Sequence, residues 1–469
     1  DVYKRQNEGN HGGACVVDSG SHVEFMAPEF ALVIGSNRSA GVGGALWVRS
    51  YGTVTVAGVV QFVGNTSAWG GAIFATNHAV VIVVPTNGVG PVFVGNSAGL
   101  RGGAVYLMAT SQLTAVNCVF RGNRAGAHGG AIANAASYAR IVPNFAEAGG
   151  GIPTLFEGNR ALYGGAIYGD SAPLTWVDSA LIVSNVGTLE GGGIDMDNKA
   201  VGEVVNCVII GNDANNGGGI WVSGSSSARL RHCTVVGNSY GVGSAGGPLV
   251  LSNCIVRGNT FGQVTSGHTV RYSNIEGGYP GTGNINADPL FVNAAGLDFS
   301  LKYGSPCVDA GAPAGVTWDC VGKVRPMGLG YDMGAYEQDP APVQVVHPVV
   351  LDFGDVVIGD SSNLAVSVVN AGNSALNGAV NFVPVPTFSV SPGTYTITPQ
   401  AATNVVVTFS PAIEYRWTQT VQFASNGGNT NVTLIGTGIP EPAIGMVISL
   451  ILLFEAIRLT WRKGKRGLC

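Results

Sequence analysis

Residues 62–73 read FVGNTSAWGGAI, a short apolar stretch ending in Gly-Asn that is followed, after a brief turn, by Gly-Gly-Ala-Ile. Close copies of this phrase begin at Phe93, Phe120 and Phe156, and more degenerate copies begin at Ile182 and Ile209. The asparagine recurs with spacings of 28, 31, 27, 36, 26, 27, 26 and 21 residues, at Asn37, Asn65, Asn96, Asn123, Asn159, Asn185, Asn212, Asn238 and Asn259. Such a period indicates one supersecondary unit stacked on itself.

The contents of the repeat decide between the repeat folds that share this period. Glycine supplies 72 of the 469 residues, and the runs between turns are short, β-branched and alternating, which disfavours helical repeats and favours strands. One repeat suits one coil of a parallel β-helix, in which each strand pairs with the same strand of the next coil about 4.8 Å away. We therefore predict an all-β, right-handed parallel β-helix. Its turns would carry a column of hydrogen-bonded asparagines, and the Gly-Gly pairs would supply corners with positive φ.

The paired tetrapeptides FxxN and GGA(I/L/V), repeated over about residues 34–220, resemble the repeats of chlamydial-type polymorphic outer-membrane proteins. That resemblance implies a surface β-helix adhesin. Those proteins end in an autotransporter β-barrel, and we expect this chain to differ from them in that respect.

Composition narrows the class of protein. Only 11% of residues are charged, the net charge is −5, and 46% of residues are hydrophobic, as is typical of an exported β-protein. Basic residues cluster only at the extreme C-terminus, so we expect no nucleic-acid partner. No CxxC or His-rich spacing is present, so we expect no metal and no cofactor. The histidines are scattered singly and are interpreted as surface or turn residues.

The cysteines fall into two groups. Cys118, Cys207, Cys233 and Cys254 each lie five residues before a column asparagine and are expected to form a buried stack of free thiols, with bridging between neighbours as the alternative. Cys307 and Cys320 lie in loop-like sequence, and we hypothesise a disulfide between them that stabilises by roughly 3 kcal/mol.

Four residues after the first glycine of each corner, a column of mostly aromatic residues is predicted. Its members are Trp47, Phe74, Tyr106, Ala133, Tyr168, Asp195 and Trp221. Because the preceding aliphatic residues point into the core, strand alternation directs this column outward. A rung spacing of about 4.8 Å is close to a sugar-ring repeat, so the rings are candidates for glycan stacking. The alternative is ring stacking that only shields the sheet.

On two coils the same face becomes acidic. Asp170 and Asp197 both lie six residues past their first glycine and should be neighbours, with Asp195 on the same face and Asp213 in the next turn. Such carboxylates could bind Ca²⁺ or act as acid and base in glycoside cleavage. Only Lys199 and Arg160 are near them in sequence as basic groups. We therefore expect a solvated acidic corner rather than a catalytic site.

The remaining segments define the domain organisation. Residues 1–6 (DVYKRQ) look like a translated sequencing adapter, so earlier coils and a signal peptide are expected to be missing. Coils occupy residues 7–283. Residues 284–338, with DPLF, GSPCVDAG and RP…DMGAYE, resemble the terminal module of choice-of-anchor-type bacterial surface β-helix proteins and should cap the last coil. A Pro-rich linker at 339–348 precedes an immunoglobulin-like sandwich at 349–438, which resembles the ASH/Hydin-like subclass.

Residues 439–469 contain Pro440, Glu441 and Pro442, then the apolar stretch 443–457 and a basic tail. Extended to Trp461, the stretch approaches the length of a transmembrane helix, with the basic end in the cytoplasm. The order resembles a PEP-CTERM sorting signal, which implies export and cleavage by an exosortase-like enzyme. The alternative is a plain membrane anchor.

These observations predict a non-enzymatic protein of the cell surface, outer envelope or extracellular matrix, held in the inner membrane until it is processed. Its role would be adhesive or structural, and its partner a polysaccharide or a host or matrix protein. The alternatives are a polysaccharide-binding module and a lyase-like or hydrolase-like enzyme that uses Asp170, Asp195 and Asp197.

Overall fold

A computed structural model describes residues 4–5, 8–145, 153–383, 385–399, 401–441 and 455. The chain divides into two compact units, Asp1–Asp339 and Pro340–Cys469. Each is described by itself.

The first unit is a parallel β-helix, as predicted. Within the described residues its coils contribute strands to three parallel sheets, here called sheets 1, 2 and 3. Sheet 1 contains Lys4–Arg5, His22–Gly35, Thr53–Val63, Val80–Val84, Val92–Val94, Gln112–Val116, Val119–Arg121, Tyr138–Val142, Thr154–Glu157, Leu174–Asp178, Ala180–Val183, Val201–Val205, Val208–Ile210, Ser227–Arg231, Thr234–Val236, Leu249–Ser252, Ile255–Arg257, Thr269–Arg271 and Asn274–Ile275.

Sheets 2 and 3 meet at the Gly-Gly corner of each coil. Sheet 2 contains Glu8–His11, Arg38–Val42, Thr66–Trp69, Ser97–Arg101, Arg124–Ala125, Arg160–Tyr163, Val186–Glu190 and Asp213–Asn216. Sheet 3 contains Cys15–Val17, Leu46–Arg49, Ile73–Thr76, Val105–Leu107, Ile132–Ala135, Ile167–Asp170, Ile194–Asp197, Ile220–Ser223 and Val242–Ala245.

The predicted asparagine column is a continuous buried ladder. From Asn37 to Asn238, each asparagine donates its backbone N–H and its Nδ2 to the Oδ1 of the next member, at 2.9–3.0 Å. The Nδ2 of Asn123 also donates to the carbonyl oxygen of Phe93 in the preceding coil, at 3.0 Å. At the far end Asn259 donates to Gln263 Oε1 instead. The ladder satisfies buried turn groups while fixing the register between coils.

Apolar side chains stack in parallel columns inside the coils. Phe62, Phe93, Phe120 and Phe156 are fully buried, with neighbouring ring centroids 4.8–4.9 Å apart and rings nearly parallel. The predicted thiol stack is confirmed, because Cys118, Cys207, Cys233 and Cys254 are free and buried. Each coil therefore presents the same small set of side chains to the core.

The terminal module caps the last coil only in part. Ile275 N–H donates to the Ile285 carbonyl, so a segment of the module does extend the solenoid. The later part lies instead along the flank of sheet 1. There Asn253 exchanges two hydrogen bonds with Ala312, at 2.6 and 2.9 Å, and Thr234 Oγ1 accepts from Ala335 N–H. The module also has a hairpin of Phe291–Asn293 and Asp298–Leu301 around the 3₁₀ turn Ala294–Gly296.

His232 lies at a turn, one of the two expected places for the histidines, but it is not at the surface. It is fully buried beneath the module, with its Nδ1 3.1 Å from the Asp332 carbonyl oxygen and its Nε2 2.8 Å from Asn253 Nδ2. Burial lowers the pKa of His232 well below its usual value. The neutral imidazole thus bridges the coils and the module, donating from Nδ1 and accepting at Nε2.

The predicted disulfide between Cys307 and Cys320 is wrong. Both cysteines are free and buried, and they belong to two different apolar clusters. Cys307 Sγ lies 3.0 Å from Asn274 Nδ2, whereas Cys320 packs with Phe299 and Ala335. The module folds the loop onto the flank of the helix, which separates the two thiols.

The second unit is an antiparallel-rich sandwich. One sheet contains Gln344–His347, Ser362–Asn370, Ala402–Phe409 and Phe388–Ser391, and the other contains Val350–Val357, Gly428–Ile439, Tyr415–Ser425, Leu376–Asn381 and Thr394–Ile397. The predicted linker 339–348 is therefore too long, because residues 344–347 pair with the strand Ser362–Asn370.

The predicted transmembrane helix, apart from Glu455, lies outside the described residues, as does Pro442 of the sorting motif. Among the residues that are described, no helix is long and apolar enough to cross a membrane.

Replacing Asn123 with Ala tests the ladder. The variant leaves the Asn96 donors and the Phe93 carbonyl without buried partners, at about 1–3 kcal/mol for each group. We expect a clearly lower urea midpoint for the β-helix, measured by circular dichroism. Asn215→Ala, on an exposed strand position, is the control and should leave the midpoint unchanged. Equal effects of the two substitutions would contradict a structural ladder.

A thiol count tests the corrected cysteine assignment. In the Cys469→Ser variant, all seven remaining cysteines should react with a thiol reagent in denaturant without prior reduction. In the native state only the partly exposed Cys15 should react quickly. A count of five reactive thiols in denaturant would indicate one disulfide and contradict this assignment.

Candidate functional site

The corner between sheets 2 and 3 is concave, and glycine makes it so. Gly191 and Gly217 have φ of 57° and 56°, a conformation that disfavours other residues. A Cβ added at Gly191 would lie 2.5 Å from the Cβ of Asp195, and one at Gly217 would lie 2.7 Å from the Cβ of Trp221. The sheet-3 side chain therefore packs directly over the corner backbone.

Two columns of side chains face one another across this corner, and together they form what we call the corner groove. The sheet-3 column is in register from coil to coil and comprises Val16, Trp47, Phe74, Tyr106, Ala133, Tyr168, Asp195 and Trp221. The sheet-2 column consists of the residue before each glycine pair, namely His11, Val42, Trp69, Arg101, His128, Tyr163, Glu190 and Asn216.

The aromatic column has the predicted register but not the predicted exposure. Phe74, Tyr106 and Tyr168 are only 4%, 6% and 3% exposed, whereas Trp47 and Trp221 are half-buried. The facing sheet-2 side chains cover the rings. For example, the ring centroids of His128 and Tyr168 are 4.5 Å apart. Glycan stacking on the three buried rings is therefore excluded in this conformation. The alternative interpretation, in which the rings only shield the sheet, describes the coils of Phe74, Tyr106 and Tyr168.

Asp170 and Asp197 are cross-strand neighbours, as predicted. Asp170 Oδ2 accepts from Arg101 Nη1 at 2.7 Å, and its Oδ1 accepts from Asn198 Nδ2 at 3.1 Å. Burial opposes ionisation of Asp170, but these hydrogen bonds outweigh it and lower its pKa. The expected solvated acidic corner is therefore wrong at Asp170, because an arginine from two coils away closes it.

Asp195 is fully buried, and neither of its carboxyl oxygens has a hydrogen-bond partner. Its neighbours along the column are Tyr168 and Trp221. Burial, followed by the nearby charges of Glu190 and Asp197, raises the pKa of Asp195 well above its usual value. Ile194 and Met196 on either side belong to the main core, so strand alternation directs Asp195 into the groove.

Other polar atoms in the same region also lack partners. His128 Nδ1 and Trp221 Nε1 are buried without a hydrogen bond. Burial, with a smaller effect from Arg101, lowers the pKa of His128 to about 4, so the ring is neutral at neutral pH. Tyr168 donates its hydroxyl to Asp197 Oδ2 at 3.2 Å.

Sequence reasoning missed Arg101, His128 and Glu190, and it named Lys199 and Arg160 as the nearby bases instead. Within the described part of the chain, neither Lys199 nor Arg160 forms an ion pair with these acids. The signal for the missed residues was available, because each directly precedes a corner glycine pair. Across the described ranges, no group of three or more His, Cys, Asp or Glu side chains is arranged to hold a metal ion.

Comparison with known protein families supports the class of fold. Residues 103–277 match the family described as right-handed β-helix region, and residues 342–432 match the ASH family (abnormal spindle-like microcephaly-associated, ASPM-SPD-2-Hydin). The chain is thus similar to right-handed β-helix regions over the first range and to ASH domains over the second. Residues 59–76 match the Chlamydia polymorphic membrane protein repeat, which is the repeat quoted from the sequence. No curated protein matches the chain.

Similarity to solved structures is limited. The chain is similar to the ASH/PapD-like domain of human CEP192 at 13% identity, covering 25% of this chain and 99% of that one, with a TM-score of 0.21. It is similar to a protein of unknown function from Porphyromonas gingivalis W83 at 16% identity, covering 21% and 47%, with a TM-score of 0.19. The E. coli chaperone DraB aligns at 10% identity over 21% and 56%, with a TM-score of 0.17. At these TM-scores the similarities carry no functional conclusion.

Asp195→Asn should flatten the dependence of stability on pH. The raised pKa means that the folded state holds the Asp195 proton more tightly than the unfolded state, whose value is about 4. The free energy of unfolding therefore falls as the pH rises from about 4 toward the folded-state pKa, by at most about 1.4 kcal/mol per pH unit. Asn cannot ionise, so urea midpoints between pH 4 and 8 should decline less in the variant. Asp213→Asn, at an exposed site, should follow the wild-type profile. Parallel profiles for wild type and Asp195→Asn would argue against a buried neutral acid.

Proposed function

We propose that this chain is an exported β-helix protein of the bacterial cell surface or extracellular matrix, with an adhesive or structural role. The observation that carries the proposal is the polymorphic-membrane-protein repeat, which matches at residues 59–76 and recurs as FxxN and GGA pairs along the solenoid. A solenoid whose coils are locked by a buried ladder presents long, regular outer faces, and such faces suit the binding of extended partners. Candidate partners are a polysaccharide or a host or matrix protein.

We also propose that residues 439–469 direct export and processing. The order of the PEP tripeptide, the apolar stretch and the basic tail supports transient insertion in the inner membrane and cleavage by an exosortase-like enzyme. Residues 284–338 are proposed to act as the choice-of-anchor-type module that their wording resembles.

A non-enzymatic role fits the state of the three candidate catalytic aspartates better than glycoside cleavage does. Glycoside hydrolysis needs two carboxyl groups that both reach the scissile bond. In this conformation Asp195 has no exposed surface, and Asp170 is held by Arg101. Polysaccharide cleavage is the alternative, and its acid–base chemistry would have to come from Asp197 and His128, whose Nδ1 has no hydrogen-bond partner.

Surface display and adhesion test the proposal together in the bacterium that produces the chain. Intact cells should bind antibody raised against the β-helix, and cells lacking the chain should adhere less to polysaccharide-coated or matrix-coated surfaces. Simultaneous replacement of Pro440, Glu441 and Pro442 with Ala should leave an unprocessed, membrane-associated form. Retention of the wild-type chain in the cytosol would refute the proposal, and new sugar ends released by the purified chain would favour the enzyme.

A further inference from the structure

We propose that the corner groove binds a primary ammonium group in the coils around Asp195. Asp195 forms the floor of this site, and Glu190, Asp197 and Trp221 form its rim. This supplies a ligand chemistry for the surface role proposed above. It depends on the groove alone, and it can be tested on purified chain whether or not that chain is exported.

The charges of the site are unbalanced in one direction. Arg101 is paired with Asp170 at 2.7 Å, so it leaves the other acids uncompensated. Among the described residues, Glu190, Asp195 and Asp197 form no ion pair. The unpaired carboxylates of Glu190 and Asp197 favour a cationic ligand and disfavour an acidic one such as a uronic acid.

The hydrogen-bonding deficit points to a donor with several hydrogens. Both oxygens of Asp195 lack partners although the residue is fully buried, which is rare for a polar side chain in a folded protein. An ammonium group carries three donors and no acceptor, so one such group can serve Asp195 and a rim carboxylate at once. A hydroxyl would supply a single donor and no charge.

The walls of the site suit a cation as well. Half-buried Trp221 is a neighbour of Asp195 along the sheet-3 column, and an aromatic face attracts an ammonium group through its quadrupole. Neutral His128 packs on Tyr168 and adds no competing charge. Glu190, Asp197 and Trp221 are half-buried, so the rim is open to solvent. Asp195 is closed off in this conformation, so the ammonium group reaches it only when the rim side chains move apart.

Binding is expected to displace the Asp195 proton. Burial holds the pKa of Asp195 above its usual value in the empty site, and an ammonium group would stabilise the ionised carboxylate and lower that pKa. Association should therefore release up to one proton for each amine bound at any pH below the raised pKa of the empty site. A site that merely attracts cations to its surface would release none.

Isothermal titration calorimetry of the full chain near pH 7 tests the proposal with three probes. These are a tetrasaccharide of glucosamine, the same tetrasaccharide fully N-acetylated, and the peptide acetyl-Gly-Lys-Gly-amide. The two amine-bearing probes should bind and the acetylated one should not. Tighter binding of the tetrasaccharide would identify an amino sugar as the source of the ammonium group, and tighter binding of the peptide would identify a lysine side chain.

Variants separate the floor from general electrostatics. Asp195→Asn keeps the shape of the protonated acid and should weaken amine binding about tenfold or more. It should also abolish proton release, which is measured as the change in binding enthalpy between buffers of different ionisation enthalpy. Glu190→Gln, at the rim, should weaken binding while leaving proton release in place. Asp213→Asn removes the same charge from an exposed position on sheet 2 and should change neither quantity. Equal binding of the acetylated probe, or wild-type affinity in Asp195→Asn with an unchanged circular dichroism spectrum, would overturn the proposal.

Discussion

The buried asparagine ladder is the interaction on which the rest of the β-helix depends. Each Oδ1 accepts two hydrogen bonds from the preceding coil, so every coil is fixed by the same geometry as its neighbours. A slip of one residue would move a whole strand's side chains to the opposite face and leave the ladder unpaired in the core. Because the register is fixed at the turn, residues at equal offsets from each asparagine become neighbours along the axis. The columns of the corner groove follow from that constraint.

The groove shows how one backbone frame carries two kinds of chemistry. In the early coils Val42, Phe74 and Tyr106 belong to one buried apolar cluster, and the exposed Trp69 lies with its ring centroid 6.5 Å from that of Phe74. From the coil of Tyr106 onward, the same offsets also hold Arg101, His128, Glu190 and Asp195. The burial of Asp195 without a partner costs stability locally, and the asparagine ladder and the buried Ile182 and Ile209 in these coils offset that cost.

The sequence was sufficient for the features that repeat and insufficient for those that do not. The period and the FxxN spacing predicted the ladder, the phenylalanine column and the order along the sheet-3 column. The burial of Phe74, Tyr106 and Tyr168 was missed because it depends on which side chains face them across the corner. The Arg101–Asp170 pair joins residues 69 positions apart. The burial of His232 and the separation of Cys307 from Cys320 depend on how the terminal module folds back onto sheet 1. The repeat period carries no information about that fold.

The coils that depart most from their own repeat are those that carry the unpaired acid. In the coils of Asp195 and Trp221, a third glycine replaces the alanine of the GGA corner, at Gly193 and Gly219. A Cβ at Gly193 would lie 2.6 Å from the Gly219 carbonyl oxygen, so the backbones here approach more closely than alanine would allow. Loss of a core methyl group, a tighter corner and a buried carboxyl group thus occur together. A solenoid gains nothing in stability from any of the three, and their coincidence at one place is what a binding site built into a repeat frame predicts.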